Sequence, residues 1–364
     1  MIVHNSEPGS GIQNRWVQET LTSEDATGLL ITHLPHIRWA CGFTGSNGFL
    51  LVRDDELHLF TDRRYETQVT LEVQQAQIHI GSRDLVNHAI NKGLVNTTDR
   101  LLIQPEYMTL AEFTHWETLL PGISLFLRKN LLNSHVAVKS EDAIARMQQA
   151  QLISDSVFKE VCELITPGIR ENELAAKIDY HHMIRGASRM AFETIVAFGA
   201  NSALPHARPS NQKLRIGDPV LLDFGCIFNG YASDMTRTLY CGVPGGEFRT
   251  AYKAVQEAQD QAIQVAHDGI KTSEVDQAAR SILTSKGLGE FFSHSTGHGI
   301  GLEVHEWPRI SANSSATLLK GHTVTIEPGV YLPDKFGIRI EDTVVIGSSA
   351  CERLSHIERD LITI

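Results

Sequence analysis

The sequence has no excess of basic residues, no paired cysteine motif and no long apolar run. Each absence removes a class of function. Lys and Arg total 32 against 43 Asp and Glu, a formal net charge of −11. Nucleic-acid binders draw much of their affinity from cationic side chains, so no nucleic-acid partner is expected. The five cysteines, at positions 41, 162, 226, 241 and 351, are odd in number and form no Cys-x-x-Cys pair. That argues against a disulfide framework and a thiolate zinc site, and it fits a reducing cytoplasm. No segment approaches the roughly 18 consecutive apolar residues of a membrane-spanning helix, so no membrane partner is expected. The opening Met1-Ile2-Val3-His4-Asn5 lacks the basic and apolar regions of a secretory signal. The first dozen residues read as a flexible lead-in.

What is present is enough apolar material for a large core, 42% hydrophobic over 364 residues, and an unusual 17 histidines. The length allows two domains. In the first, Gly48–Val52 and Leu57–Thr61 read as a hairpin around Arg53-Asp54-Asp55-Glu56. Leu85–Leu94 and Thr109–Leu120 read as helices, with strands at Leu101–Ile103 and Ser124–Leu127. Polar, aperiodic Asn130–Lys139 suggests a boundary, giving an α/β domain at 1–135 and a second domain at 136–364. Ser140 then caps a long helix whose apolar face is Ala150, Ile153, Val157, Val161 and Leu164, ended by Thr166-Pro167-Gly168. A later helix carries Ala251, Val255, Ala258, Ala262 and Ala266. The next is capped by Ser273 and stops at Lys286-Gly287.

Chemistry concentrates in the second domain. In LLDFGCIFNGYASDMTRT (221–238), Asn229-Gly230 predicts a type I′ hairpin. That register sets Gly225 opposite Asp234 and Phe224 opposite Met235. Asp223 and Asp234 then share a face, as solvent-facing aspartates or as a pair with a cation or proton between them. His294, His298 and His305 fall within twelve positions. Glycines at 297, 299 and 301 argue against a helix and suggest backbone packed closely around His298. Thr323–Tyr331 and Gly337–Ile346 alternate, so Thr325 and Glu327 share one face, as do Arg339, Glu341 and Thr343. Asp223, Asp234, His298, Glu327 and Glu341 together offer an oxygen-rich set suited to two divalent cations, manganese or cobalt before zinc. Such a pair can activate water and clamp a developing oxyanion.

Those segments, with GHGIGLEVHE, TIEPGVYLP and GIRIEDTVVI, resemble the pita-bread metallopeptidases: aminopeptidase P, prolidase and, more distantly, methionine aminopeptidase and creatinase. The resemblance covers roughly 140–350 and implies an α+β pita-bread catalytic domain behind the α/β N-terminal domain. It implies that Asp223, Asp234 and Glu341 hold one metal, and that Asp234, His298, Glu327 and Glu341 hold the other. It further implies Glu327 as general base and His305 as substrate contact and proton shuttle. His206, in Ala203-Leu-Pro-His-Ala-Arg-Pro209, would lie near the substrate carbonyl, with Tyr331 and Arg339 as substrate-binding walls. Trp39–Gly48 and Leu59–Tyr65 look like N-domain motifs of short bacterial Xaa-Pro aminopeptidases. The expected function is therefore release of the residue before a proline, by a cytoplasmic homodimer carrying two metal ions, manganese first. A prolidase restricted to dipeptides is the near alternative, and a catalytically silent binding module on the same fold is the distant one.

Overall fold

The computed structural model describes residues 14–53 and 56–364, and the chain divides into two compact units, one ending at Val136 and the other Ala137–Ile364. The expected flexible lead-in lies outside the described residues, as do the two central residues of the first hairpin turn.

The first unit runs α1 (Asn14–Ser23), β1 (Gly28–Ile31), α2 (Leu34–Cys41), β2 (Gly48–Arg53), β3 (Glu56–Asp62), α3 (Glu66–Glu72), β4 (Gln77–Gly81), α4 (Leu85–Asn91), β5 (Arg100–Ile103), α5 (Leu110–Leu119), β6 (Ser124–Leu127) and α6 (Asn133–Ala137). Its six strands form one mixed sheet, ordered β4-β3-β2-β1-β5-β6. Successive residues feed opposite faces. Leu29, Ile31, Leu50, Val52 and Leu59 pack with Val17, Leu21 and Ile37 on one side. Leu30, Leu51, Phe60, Leu101 and Ile103 pack with Leu85, Ala89 and Trp116 on the other. Because both faces are covered, the central strands β1, β2 and β5 read as near-continuous apolar runs. Helix α5 starts with a full capping box, Thr109 and Glu112 bonding each other's backbone N–H.

The second unit opens with α7 (Glu141–Leu164), where Ser140 accepts from the Ala143 N–H as its sequence position suggests. Next come α8 (Glu171–Ile184), β7 (Arg189–Met190), β8 (Ile195–Phe198), β9 (Pro219–Phe224), β10 (Cys226–Phe228), β11 (Tyr231–Ala232), β12 (Met235–Tyr240), α9 (Gly246–Val265) and α10 (Thr272–Ser285). The chain ends with β13 (Gly297–Gly299), β14 (Glu306–Ile310), β15 (Thr323–Ile326), β16 (Gly329–Leu332), β17 (Phe336–Arg339), β18 (Asp342–Ile346) and β19 (Cys351–Arg353). Two helix-on-sheet layers result. Val157, Phe158, Val161, Leu174 and Ile178 of α7 and α8 back Val196, Leu222, Phe224 and Met235 of β8, β9 and β12. Val255, Ala258, Val275, Ala279 and Leu283 of α9 and α10 back Val324, Ile326, Val330, Ile338 and Val344. Burial of these apolar faces turns the alternate polar side chains of the same strands to the opposite side.

Several details differ from the sequence reading, among them the absence from it of helix α8. Helix α10 begins at Thr272 with Lys271 at its N-cap position, so Ser273 lies in the first turn and does not cap. An isolated bridge pairs Lys271 with Thr317 and holds residue 271 extended, and this tertiary contact decides where the helix starts. The alternating runs Thr323–Tyr331 and Gly337–Ile346 are each broken into two strands. β15 and β18 belong to a five-stranded sheet ordered β14-β13-β15-β18-β19, whereas β16 and β17 form a separate two-stranded one.

Candidate active site

Asn229 and Gly230 both take positive φ, 47° and 82°, as a type I′ turn requires. The hairpin closes in the expected register, with Met235 opposite Phe224 and Thr236 opposite Asp223. Leu222 and Phe224 enter the helix-backed core, so Asp223 and Thr236 face the other way. Asp234 immediately precedes β12 on that same side.

His298 occupies the centre of β13. A Cβ on Gly297 would stand 1.9 Å from the Thr325 carbonyl oxygen, and one on Gly299 would stand 2.3 Å from that of Trp307. Glycine is needed at both positions for neighbouring backbones to close on the histidine. Its Nδ1 donates to the Gly299 carbonyl at 2.9 Å, which leaves Nε2 as the bare nitrogen. That nitrogen lies 3.4 Å from Glu327 Oε1 and 3.7 Å from Asp234 Oδ2. Glu327 and Glu341 sit at the breaks where the chain passes between the five-stranded and two-stranded sheets. Leaving the ladder there lets both carboxylates turn inward. Backbone N–H groups are still satisfied, Glu327 donating to the Thr296 carbonyl and Glu341 to that of Thr236.

Among the described residues, Asp234, His298 and Glu341 offer ligand atoms all within 4.8 Å of one another. Asp223 contributes differently. Its Oδ2 accepts from Arg339 at 2.5 Å, while its buried Oδ1 has no partner. Burial, then the charges of Asp223 and Glu327, pushes the Asp234 carboxyl well above its usual range. Burial and the Asp234 charge do the same to Glu341, and burial raises Glu327 to about 7. Burial also lowers His298 to about 4, keeping the imidazole neutral. Crowded buried carboxylates, a neutral imidazole and an orphaned carboxylate oxygen fit a divalent-cation site with hard oxygen donors.

The surrounding pocket has a volume of about 650 Å³, and eight of the nine site residues expected from sequence line it, Tyr331 being the exception. Tyr331 lies directly behind, its hydroxyl bonded to Arg339 and to His294 Nε2. The Arg339 guanidinium uses four of its five N–H groups on neighbouring residues. It donates to Asp223, Tyr331, the Thr236 hydroxyl and the Pro205 carbonyl. This arginine braces the site. His206 and His305 are exposed at the pocket wall. The His305 ring stands edge-on to His298 with centroids 4.4 Å apart.

Sequence reasoning passed over Thr236, whose hydroxyl donates to Glu341 Oε2 at 2.6 Å and accepts from Arg339. Its place two residues after Asp234, on the same face, was the available signal. It also passed over Arg309, an exposed pocket residue that pairs with His298 across β13 and β14.

Comparison with known proteins agrees with this architecture. The model for metallopeptidase family M24 matches residues 145–348, and that for the creatinase/prolidase N-terminal domain matches 15–134. An uncharacterised peptidase of Bacillus subtilis is 34% identical over 346 residues, covering 92% of this chain and 95% of its own. The solved Xaa-Pro dipeptidase from Bacillus anthracis superposes with a TM-score of 0.92 at 30% identity, over 96% of this chain and 99% of that one. The X-Pro aminopeptidase from Thermotoga maritima gives 0.86 at 33% identity, over 93% and 98%. The family model spans more than half of the sequence and the likeness extends through both units, so this chain belongs to metallopeptidase family M24, with a creatinase/prolidase N-terminal domain before a pita-bread catalytic domain.

Proposed function

We propose that the protein hydrolyses the peptide bond between an N-terminal residue and a following proline. The observation that carries this reading is the convergence of Asp223, Asp234, His298, Glu327 and Glu341 on one pocket. Asp223, Asp234 and Glu341 would hold one divalent ion, and Asp234, His298, Glu327 and Glu341 the second, manganese being the expected metal. When bound, the ions supply Lewis acidity toward a carbonyl and an acidified water. Glu327 takes a proton from the attacking water at its Oε1. His305, exposed at the wall, moves a proton between solvent and the leaving nitrogen. His206 donates to the carbonyl oxygen as negative charge develops there. The proline ring, with no N–H and a fixed φ, suits a preorganised pocket that rejects flexible residues.

For substrate length, the motifs at Trp39–Gly48 and Leu59–Tyr65 support an aminopeptidase acting on peptides longer than two residues, in a cytoplasmic homodimer. A specific observation favours the dipeptidase as second reading. Arg339 is buried and spends four N–H groups on neighbouring residues, whereas Arg208 and Arg309 are exposed cations in the pocket and could receive a dipeptide carboxylate. The likeness to the Bacillus anthracis dipeptidase supports it too. The test is a length series with manganese. An X-Pro-Y tripeptide should turn over at least as well as X-Pro, and X-Ala-Y far more slowly. Cleavage of dipeptides alone would assign the dipeptidase, and cleavage of neither would reject the proline reading.

A further inference from the structure

Helix α8 begins with a carboxylate that the proposed chemistry does not use. Glu171 is completely buried. Five hydrogen bonds from neutral donors converge on its two oxygens. Oε1 accepts from the Phe198 N–H at 2.8 Å and from Asn201 Nδ2 at 3.0 Å. Oε2 accepts from Asn201 Nδ2 at 3.2 Å, the Ser210 N–H at 3.0 Å and Ser210 Oγ at 2.6 Å. A buried carboxylate costs free energy unless it is fully hydrogen-bonded, and here its donors come from two separated points of the chain. Phe198 and Asn201 lie where the chain leaves β8, and Ser210 lies where it returns toward β9. Between them runs the segment that carries His206 to the pocket wall.

The same segment is held to the floor of the site at two further points. The Gly337 N–H donates to Ser202 Oγ at 2.8 Å, and Arg339 donates to the Pro205 carbonyl at 3.2 Å. His206 itself sits on an exposed turn, so the reach of its imidazole is set by how the loop's two ends are spaced and by the tie at Pro205. Glu171 accepts hydrogen bonds from both of those ends.

We infer that Glu171 is a positioning residue for His206: by clamping Asn201 and Ser210 together it sets how far the His206 imidazole extends into the pocket. The inference rests on the Xaa-Pro peptidase reading, in which His206 serves the substrate carbonyl. Glu171→Gln keeps the shape but points an amide NH2 at groups that are themselves donors. Its effect is read in the manganese-loaded full-length protein, alone and combined with His206→Ala, together with amide hydrogen exchange. Glu171→Gln should lower kcat about 10–100-fold with KM changed less than about threefold. Metal content should match the unaltered protein. Exchange should rise across residues 198–210 while β15 and β18 remain protected. The double variant should be no slower than His206→Ala, because the clamp acts through that histidine. Losses that add in the double variant, or an unchanged exchange pattern with full activity, would overturn the role of Glu171. A fully active His206→Ala would instead refute the assignment of His206 in the reading on which this rests. Should Glu171→Gln fail to fold, Asn201→Ala and Ser210→Ala, which remove donors at less buried positions, carry the same cycle with the same outcomes.

Discussion

At the residue scale, the proposed roles separate ligands from groups that act on substrate. Asp234 clusters with His298 and Glu341 and is the proposed ligand shared by both ions, so Asp234→Ala should abolish metal binding and activity together. His305 touches His298 only ring to ring, so His305→Ala should keep its metal while turnover falls roughly 10²–10⁴-fold. Metal analysis and steady-state kinetics on both variants check this, and metal loss in His305→Ala as complete as in Asp234→Ala would overturn the division. Arg339 gives a third case. Lysine preserves the charge but cannot span Asp223, Thr236, Tyr331 and Pro205 at once. Arg339→Lys should therefore cost about 10–100-fold in kcat/KM even at saturating metal. An unchanged value would show that the fourfold bracing is dispensable.

At the element scale, what was legible in the sequence was local and periodic. Asn229-Gly230 states its own turn, and the turn fixes register, so Asp223 and Asp234 could be placed on one face from sequence alone. The glycines around His298 marked close backbone approach, and strands β13, β14 and β15 are packed as closely as that implies. Gly297→Ala tests this, since its Cβ would overlap the Thr325 carbonyl. Thermal unfolding should drop by several degrees, roughly 4–8 °C for each kcal/mol lost from a small domain and less from one this size, with metal affinity falling alongside. A fully stable variant with intact affinity would contradict the packing argument. What was not legible depended on long-range contacts. Helix α8 was missed because buried polar Glu171 and His182 bracket a short apolar stripe, Leu174, Ala175 and Ile178. The breaks at Glu327 and Glu341 were passed over although Pro328-Gly329 and the consecutive acids Glu341-Asp342 interrupt the alternation there, while the change of sheet is a property of the whole layer.

At the scale of the whole molecule, buried neutral histidines couple stability to pH. His182 donates from Nδ1 to the Ile178 carbonyl and pairs through Nε2 with Ser154 Oγ. Burial lowers it to about 4. The unfolded chain takes up its proton near pH 6.5, before the folded chain does, so stability falls as pH drops from about 6.5 toward 4. His182→Gln removes that titration. Its unfolding free energy should change less between pH 7 and pH 4.5 than that of the unaltered protein, by denaturant titration at each pH. Equal changes would mean His182 is already charged in the fold.

The proposed chemistry rests on the four carboxylates Asp223, Asp234, Glu327 and Glu341, which line one pocket and would hold the ions. The direct measurement is to strip the protein with a chelator, return manganese stepwise, and follow bound metal and X-Pro-Y hydrolysis in the same samples. Activity should reach its plateau as binding approaches about two ions per chain, the number a paired-metal site holds, while X-Ala-Y remains poorly cleaved throughout. Full activity in protein that retains at most about one ion per chain would contradict the paired-metal account.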